Sequence, residues 1–471
     1  MHDDQHLDTP TSDGPFLDPA KLNEQWHEYG VRFKSLLADN REEELKAIAA
    51  ELSPGDLSEI VRPLSIEDTA RMIMLLPINI AADVLVEIDR RSVDVLVSLT
   101  SYSAIADIME EMSSDEAADV VGEMSAEDAR QVLAAMEKEE REEVTELLQY
   151  EPDTAGGIMA KEFLSIPADA TCLQAVRAVR ALHPDDRESL HFIYVIDDQE
   201  RLVGRLPLVE MLIQPWSTIV ATIMEHDPHF VELGLDQEHV AQFVRTHDLI
   251  TLPVVDAWSR LVGVIHADDV HDVMAEEATE DIAQMAGTSE ELGETSPLKV
   301  ARARLPWLLA ALVGQVGCVL LMHHFEATLQ GAVALSFFIP AIMAMGGNTG
   351  IQTSSVVVRG LATGDVNVYH IGRYLLRELA TSLMTGSLIA ASLFFVALFV
   401  VGSQELALVL TFSMLVVIIF AALVGTAVPL FLHRVGIDPA LATGPFITTS
   451  NDVVAIVIYL GLATLILNGS G

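Results

Sequence analysis

The chain has 471 residues, too many for one ordinary core, and its 27 Lys/Arg against 69 Asp/Glu give a formal charge of −42. Only four of the basic and six of the acidic residues lie beyond Arg304, so residues 1–304 alone carry a net −40. Such a surface repels phosphates, which excludes nucleic acid as a partner, and it repels itself unless it stays extended or cations hold it together.

The amino-terminal stretch is acidic, rich in Pro, Asp and Ser, and has no apolar run of the kind a signal peptide needs, so residues 1–35 are expected to be a disordered tail. An all-helical domain is expected over 36–155. There Leu52, Leu64, Leu76, Ile88, Thr100, Met112, Met124 and Met136 recur every twelve positions, Thr100 being the weak member. Serines follow at 53, 65, 101, 113 and 125, and Asp56, Asp68, Glu116 and Asp128 stand three residues later, the spacing of a helix-capping box. Twelve residues hold a helix of about eight and a turn, and such units stack into a superhelical array. The first-turn acids Asp115, Glu116 and Asp119 fall along one side, as caps or as metal ligands.

Residues 156–275 hold one pattern twice. Tyr194-Val-Ile-Asp197 is followed by Leu202-Val-Gly204, and Pro253-Val-Val-Asp256 by Leu261-Val-Gly263, each a strand, a hairpin turn and a strand leading to a helix. This α/β pair resembles tandem CBS domains, which implies a switch rather than a catalyst. Nucleotide-binding copies of that family carry Gly-x-x-Thr/Ser-x-x-Asp. Here the stretch is Gly263 to Asp269 with His266 in place of the hydroxyl, and Val209-Glu210 replaces the frequent Arg-Asp, so ATP stays an open alternative.

The next helix carries Asp269, Asp272 and Glu276 at i, i+3, i+7, with Glu277, Glu280 and Asp281 beyond. Like charges at this spacing destabilise a helix, and no Lys relieves them, so hard cations on oxygen ligands are expected there. Residues 276–298 are read as an acidic connecting helix leading into a transmembrane domain over 299–471. Five apolar stretches follow, near 305–322, 332–358, 379–401, 406–432 and 439–467, each long enough for a bilayer core. Lys299, Arg302 and Arg304 precede the first, Arg359, Arg373 and Arg377 separate the second and third, and Arg434 separates the fourth and fifth. The positive-inside rule then gives a multi-pass plasma-membrane protein with a cytoplasmic amino terminus and an outside carboxyl terminus.

Pro340 with Gly346, Gly347, Asn348, Thr349 and Gly350, Gly425 with Pro429, and Gly444 with Pro445 are expected to break helices and expose carbonyls to a passing ion. Asp452 is expected to be the one ionisable side chain deep in a span, flanked by Thr448, Thr449, Ser450 and Asn451. An all-oxygen site of this kind suits Mg, Mn or Ca, and pore width must choose among them. Cys172 and Cys318 read as two buried thiols. No nucleophile with a base, phosphate loop or His/Cys cluster suggests an enzyme.

The run Phe338-Ile-Pro340 through Gly346-Gly347-Asn348-Thr349-Gly350-Ile-Gln352, with Asp438-Pro-Ala440, Asp452-Val453 and the order of parts, is similar to the MgtE magnesium channels. The resemblance covers the chain from about Arg41 to the end. It implies a homodimer with its pore on the two-fold axis, where Asp452, Asn348 and the main-chain oxygen of Thr448 surround a hydrated cation. It further implies that Asp269, Asp272, Glu277, Glu280 and Asp281 hold regulatory Mg²⁺, with Glu116 contributing. Ile351 and Gln330 depart from the polar or acidic residues of relatives. Cytoplasmic Mg²⁺ is then expected to bridge the acids and close the pore to Mg²⁺ influx. An exchanger coupled to Na⁺ or H⁺ and a membrane sensor without transport are the alternatives.

Overall fold

A computed structural model describes residues 19–471 except 89, 183–186, 188–189, 287, 289–295, 364–365, 367–370, 443 and 470–471. Contacts divide the chain into two compact units, Met1–Val273 and Met274–Gly471.

The first unit begins with helix α1 (Pro19–Ala38), so the expected tail is too long by about half: residues 1–18 lie outside the described ones, but 19–35 are helical. Tyr29 and Phe33 recur at i, i+4, are buried, and meet edge to face, while the Trp26 indole donates to Asp56 at 2.8 Å. This one-sided burial pins α1 to the helices that follow.

Those are α2 (Glu42–Ala49), α3 (Pro54–Val61), α4 (Ile66–Ile73), α5 (Ile78–Val86), α6 (Arg90–Leu99), α7 (Tyr102–Met109), α8 (Ser114–Glu123), α9 (Ala126–Ala135) and α10 (Lys138–Leu147). Each starts twelve residues after the last, as the repeat predicts. Ser53, Ser65 and Ser125 accept the backbone N–H of Asp56, Asp68 and Asp128, and Ser113 with Glu116 closes a full capping box. A helix this short is marginal alone, so packing must hold it. From α3 onward each packs mainly on its next-but-one neighbour, α3 on α5, α5 on α7 and α7 on α9, with α4 on α6 and α8 on α10. Leu57, Ile60, Ile73, Leu85, Ile105 and Met109 are fully buried between them.

The tandem module follows: β1 (Ser165–Pro167), α11 (Cys172–Ala181), β2 (Phe192–Ile196), β3 (Leu202–Pro207), α12 (Leu208–Ile213), β4 (Glu225–His226), β5 (Val231–Glu232), α13 (Gln237–Thr246), β6 (Thr251–Val255) and β7 (Leu261–His266). Its sheets run β1-β2-β3-β4 and β5-β6-β7, the first pair in each parallel and the next antiparallel. The hairpins are copies of each other in detail. Asp197 accepts from the backbone N–H groups of Gln199 and Arg201 and from the Arg201 guanidinium, and Asp256 does the same with Trp258 and Arg260. Glu200 (φ 61°) and Ser259 (φ 62°) take the same left-handed turn. The turns interlock, since Leu202 N–H donates to Ser259 O and Leu261 N–H to Glu200 O. Tyr194 and Thr251 share a buried 2.9 Å hydroxyl contact between the copies.

Helix α14 (Ala267–Ala286) grows directly out of β7, so the acidic helix expected over 276–298 begins earlier and, among the described residues, ends at 286. The second unit then contains α15 (Pro297–His324), α16 (Glu326–Gly331), α17 (Ile339–Ala362), α18 (Ile371–Val401), α19 (Gln404–Val435) and α20 (Gly444–Gly469). Five of these, all but the short α16, are long and apolar enough to cross a membrane. The first and third start roughly two turns earlier than hydropathy suggests, because charged ends such as Arg302 and Arg377 continue the helices. Helix α19 lies against α17, α18 and α20, and α15 lies against α20. Cys172 and Cys318 are buried free thiols.

The expected helix breaks in the second and fourth spans are overturned. Gly346 to Gly350 break nothing: α17 is continuous across them, as α19 is across Gly425 and Pro429. Pro340 sits in the first turn of α17, where its missing N–H has no partner to lose. The glycines serve close approach instead, since a Cβ on Gly425 would lie 2.6 Å from the carbonyl oxygen of Gly350. Lipid cannot satisfy freed backbone groups, so the helix persists wherever its own ladder can form.

Candidate functional site

The first unit gathers acids from three segments. Asp115 and Glu116 stand in the first turn of α8, Glu162 in the stretch before β1, and Asp268 and Asp269 in the first turn of α14. Glu162 accepts from both the backbone N–H and the hydroxyl of Ser114 at 2.9 Å, placing a carboxylate on the amino end of α8. Burial pushes its carboxyl up to about 7, and the Asp115 charge adds to that against the Ser114 bonds. Asp269 accepts the His266 backbone N–H at 3.2 Å. Its carboxyl is pushed up to about 8, first by burial and then by the charges of Asp115 and Asp268. Asp115 is 6% exposed, its Oδ1 is buried without a hydrogen-bond partner, and burial raises its carboxyl despite the Ser113 bond. Burial raises Glu116 too, with the charges of Asp115 and Asp83 adding to it.

Glu116 and Asp269, two predicted regulatory residues, are thus brought into one electrostatic neighbourhood. Asp119 and Asp272 are exposed further along α8 and α14. Glu276, Glu277, Glu280 and Asp281 follow on the second half of α14, where Glu280 accepts from Gln284 at 2.7 Å. Among the described residues no three acid, imidazole or thiol groups converge at metal-ligand spacing, so the carboxylates feel one another's charge without forming a closed ligand set. Glu162 escaped the sequence reading because no periodicity links it to residues almost fifty positions away; Lys161-Glu162 after Gly156-Gly157 is the faint local signal.

The second unit holds the candidate intramembrane site. Asp452 lies on α20, 7% exposed, one turn beyond Thr448, and Gly347 of α17 faces both. A Cβ on Gly347 would come within 3.3 Å of the Thr448 methyl and 3.8 Å of Asp452 Oδ1, so only a glycine leaves that space open. Gly346 is buried, and its carbonyl receives a long 3.5 Å contact from the Asn451 amide. The Asn451 Oδ1 is buried without a partner. Thr448 donates its hydroxyl to the Gly444 carbonyl at 2.8 Å, Thr349 is half-buried, and Asn348 is exposed.

Two polar residues of the apolar helices were not foreseen. Gln315 of α15 donates to Asp452 Oδ2 at 2.7 Å. Glu378, which hydropathy places before the third span, sits inside α18 and accepts from Thr353 of α17 at 3.0 Å, so Asp452 does not stand alone as a carboxylate within the apolar helices. At the entry to α20, Gly444 adopts φ +54°, and a Cβ there would collide with the main-chain oxygen of Met285 on α14. The end of the acidic helix therefore touches the start of the helix that carries Asp452.

Known families match stretches of both units. A family model described as a divalent cation transporter matches residues 339–462, one for the MgtE intracellular N domain matches 33–153, and one for the CBS domain matches 220–276. The chain is 31% identical to the magnesium transporter MgtE of Bacillus subtilis over 94% of this chain and 98% of that one. It is 36% identical to MgtE of Enterococcus faecalis, over 68% and 70% of the two chains. The solved cytosolic domain of the Mg²⁺ channel MgtE in complex with ATP is 32% identical, with TM-score 0.48, over 52% of this chain and 99% of that one.

Proposed function

The chain belongs to the MgtE family of magnesium transporters, multi-pass membrane proteins rather than enzymes, and from that premise we propose that Asp452 is the ligand of a Mg²⁺ influx pore closed by cytoplasmic Mg²⁺. The observation that carries this reading is a buried carboxylate on a lipid-length helix, faced by Gly347 and, among the described residues, bonded by the neutral amide of Gln315. An anion at that depth is tolerated when an ion or cavity meets it. Mg²⁺ keeps most of its waters and takes one or two carboxylates, so Asp452, Asn348 and the Thr448 carbonyl meet the hydrated ion through those waters.

The pore forms between two copies. Asn348 supports this, because an exposed amide on a membrane helix needs a partner or water, and a second chain across a two-fold axis supplies both. Val209, Leu212, Ile213 and Trp216, all exposed on or just beyond α12, offer an apolar face for the same pairing. The basic residues at the helix ends, Lys299, Arg302, Arg304, Arg359, Arg373, Arg377 and Arg434, support a cytoplasmic amino terminus and a carboxyl terminus outside.

Gating follows from charge. Mg²⁺ bound by Asp115, Glu116, Glu162 and Asp269, and along α14 by Asp272, Glu276, Glu277, Glu280 and Asp281, holds α14 in place; its release lets the acids repel. Support comes from the unpartnered Asp115 oxygen, from carboxyls raised by burial, and from the Met285 contact with Gly444. ATP has no part in this reading, in which Asp269 caps α14 by accepting the His266 N–H.

Flux of Mg²⁺ into liposomes holding the purified protein tests the core of the proposal. Asp452→Asn should reduce flux to the protein-free background while the dimer stays intact. Wild-type flux in that variant would refute Asp452 as the pore ligand.

A further inference from the structure

We propose that Gln315 is a specificity-determining residue of the pore, holding one oxygen of Asp452 so that the carboxylate offers a passing cation only the other. The inference rests on Asp452 as the pore ligand and assigns what restricts it. Gln315 and Asp452 are 137 positions apart, and their 2.7 Å bond joins α15 to α20. The helices come close there because position 314 is a glycine: a Cβ on Gly314 would collide with the Thr449 side chain. The donor reaches Oδ2, whereas Oδ1 lies on the side that Gly347 leaves open.

The chemistry of the donor matters. A Lys or Arg would orient the carboxylate equally well but would cancel its charge and repel the cation. An amide fixes one lobe and leaves the full negative charge for the ion. Gln315 also gains from the bond, since an unpaired amide on a lipid-length helix is costly.

The consequence falls differently on two hard cations. Hydrated Mg²⁺ keeps its octahedral waters and meets the carboxylate through them, for which one free oxygen suffices, so the tie costs it nothing. Ca²⁺ takes six to eight oxygens and readily accepts a carboxylate with both, and this second oxygen is the one Gln315 occupies. The amide therefore lowers the affinity of the site for Ca²⁺ relative to Mg²⁺ by denying the bidentate mode.

The test is Ca²⁺ block of Mg²⁺ flux in liposomes containing the full-length protein. Gln315→Met keeps the length and removes the donor, and it should lower the Ca²⁺ concentration that halves Mg²⁺ flux by about tenfold, the gain of one further ligand oxygen. Gln315→Asn, which keeps the amide but shortens its reach, should shift block in the same direction and stands in if the Met variant does not assemble. A residue that merely packs α15 on α20 would reduce Mg²⁺ flux without moving the blocking concentration, and that result, or block unchanged within about twofold, overturns the proposal. Asp452→Asn separates the two ideas: if it conducts as wild type, the pore ligand itself is misassigned and the tie falls with it. If it loses flux while Gln315→Met keeps wild-type block, only the tie is wrong.

Discussion

Glu162 and Asp269 are carboxylic acids whose folded environment holds their pKa values near 7 and 8, above the ordinary range. A group raised on folding binds more protons in the folded state, so stability increases as pH falls through 8 and 7 toward the unfolded value and is lost as pH rises through that window. In Mg²⁺-free buffer the melting temperature of the first unit should therefore climb as pH is lowered from about 8.5 to about 6. Saturating Mg²⁺ should flatten the slope, because the cation replaces the proton. Asp269→Asn should raise the Mg²⁺-free melting temperature at pH 8 by roughly 2–4 °C and weaken the Mg²⁺ response. Calorimetry at several pH values decides it, and a pH-independent transition would count against this cluster as the sensor. Asp452 was legible in the sequence because it breaks a local pattern, a charge in an apolar run, and Glu116 because it completes one, an acid at a capping position. Gln315 and Glu162 were not, since their meaning lies wholly in partners 137 and 48 positions away.

Among the elements, α14 is the one whose sequence and position argue together. Seven acids in its fourteen residues from Asp268 to Asp281 make it unfavourable on its own, and its far end rests on Gly444, whose left-handed φ only glycine adopts without strain. Combined Glu277→Gln, Glu280→Gln and Asp281→Asn should leave Mg²⁺ flux insensitive to Mg²⁺ on the cytoplasmic side, with maximal flux retained. Patch recording across a range of internal Mg²⁺ reads this directly, and inhibition at the wild-type concentration would remove α14 from the gate. The short helices of the twelve-residue repeat and the five spans could be read from sequence because period and hydropathy are local. The Gly346 to Gly350 run misled because glycine disfavours helix in water, whereas inside a bilayer the alternative, unsatisfied backbone, is worse.

For the whole molecule the decisive quantity is the −40 carried by residues 1–304. At equal ionic strength, Mg²⁺ should protect residues 1–304 from proteolysis far better than Na⁺, because bridging differs from screening. Time courses of limited digestion in matched salts measure it, and equal protection would mean that simple screening suffices. The interlocked turns at Glu200 and Ser259 bear on how any such tightening spreads. Each turn's carbonyl holds the other copy's strand, so a twist on one copy cannot be absorbed by the strands sliding apart. Under load the pair behaves as a torsion bar pinned at its middle: stiff to rotation about that clasp, and most vulnerable to a substitution that loosens either of the two turns.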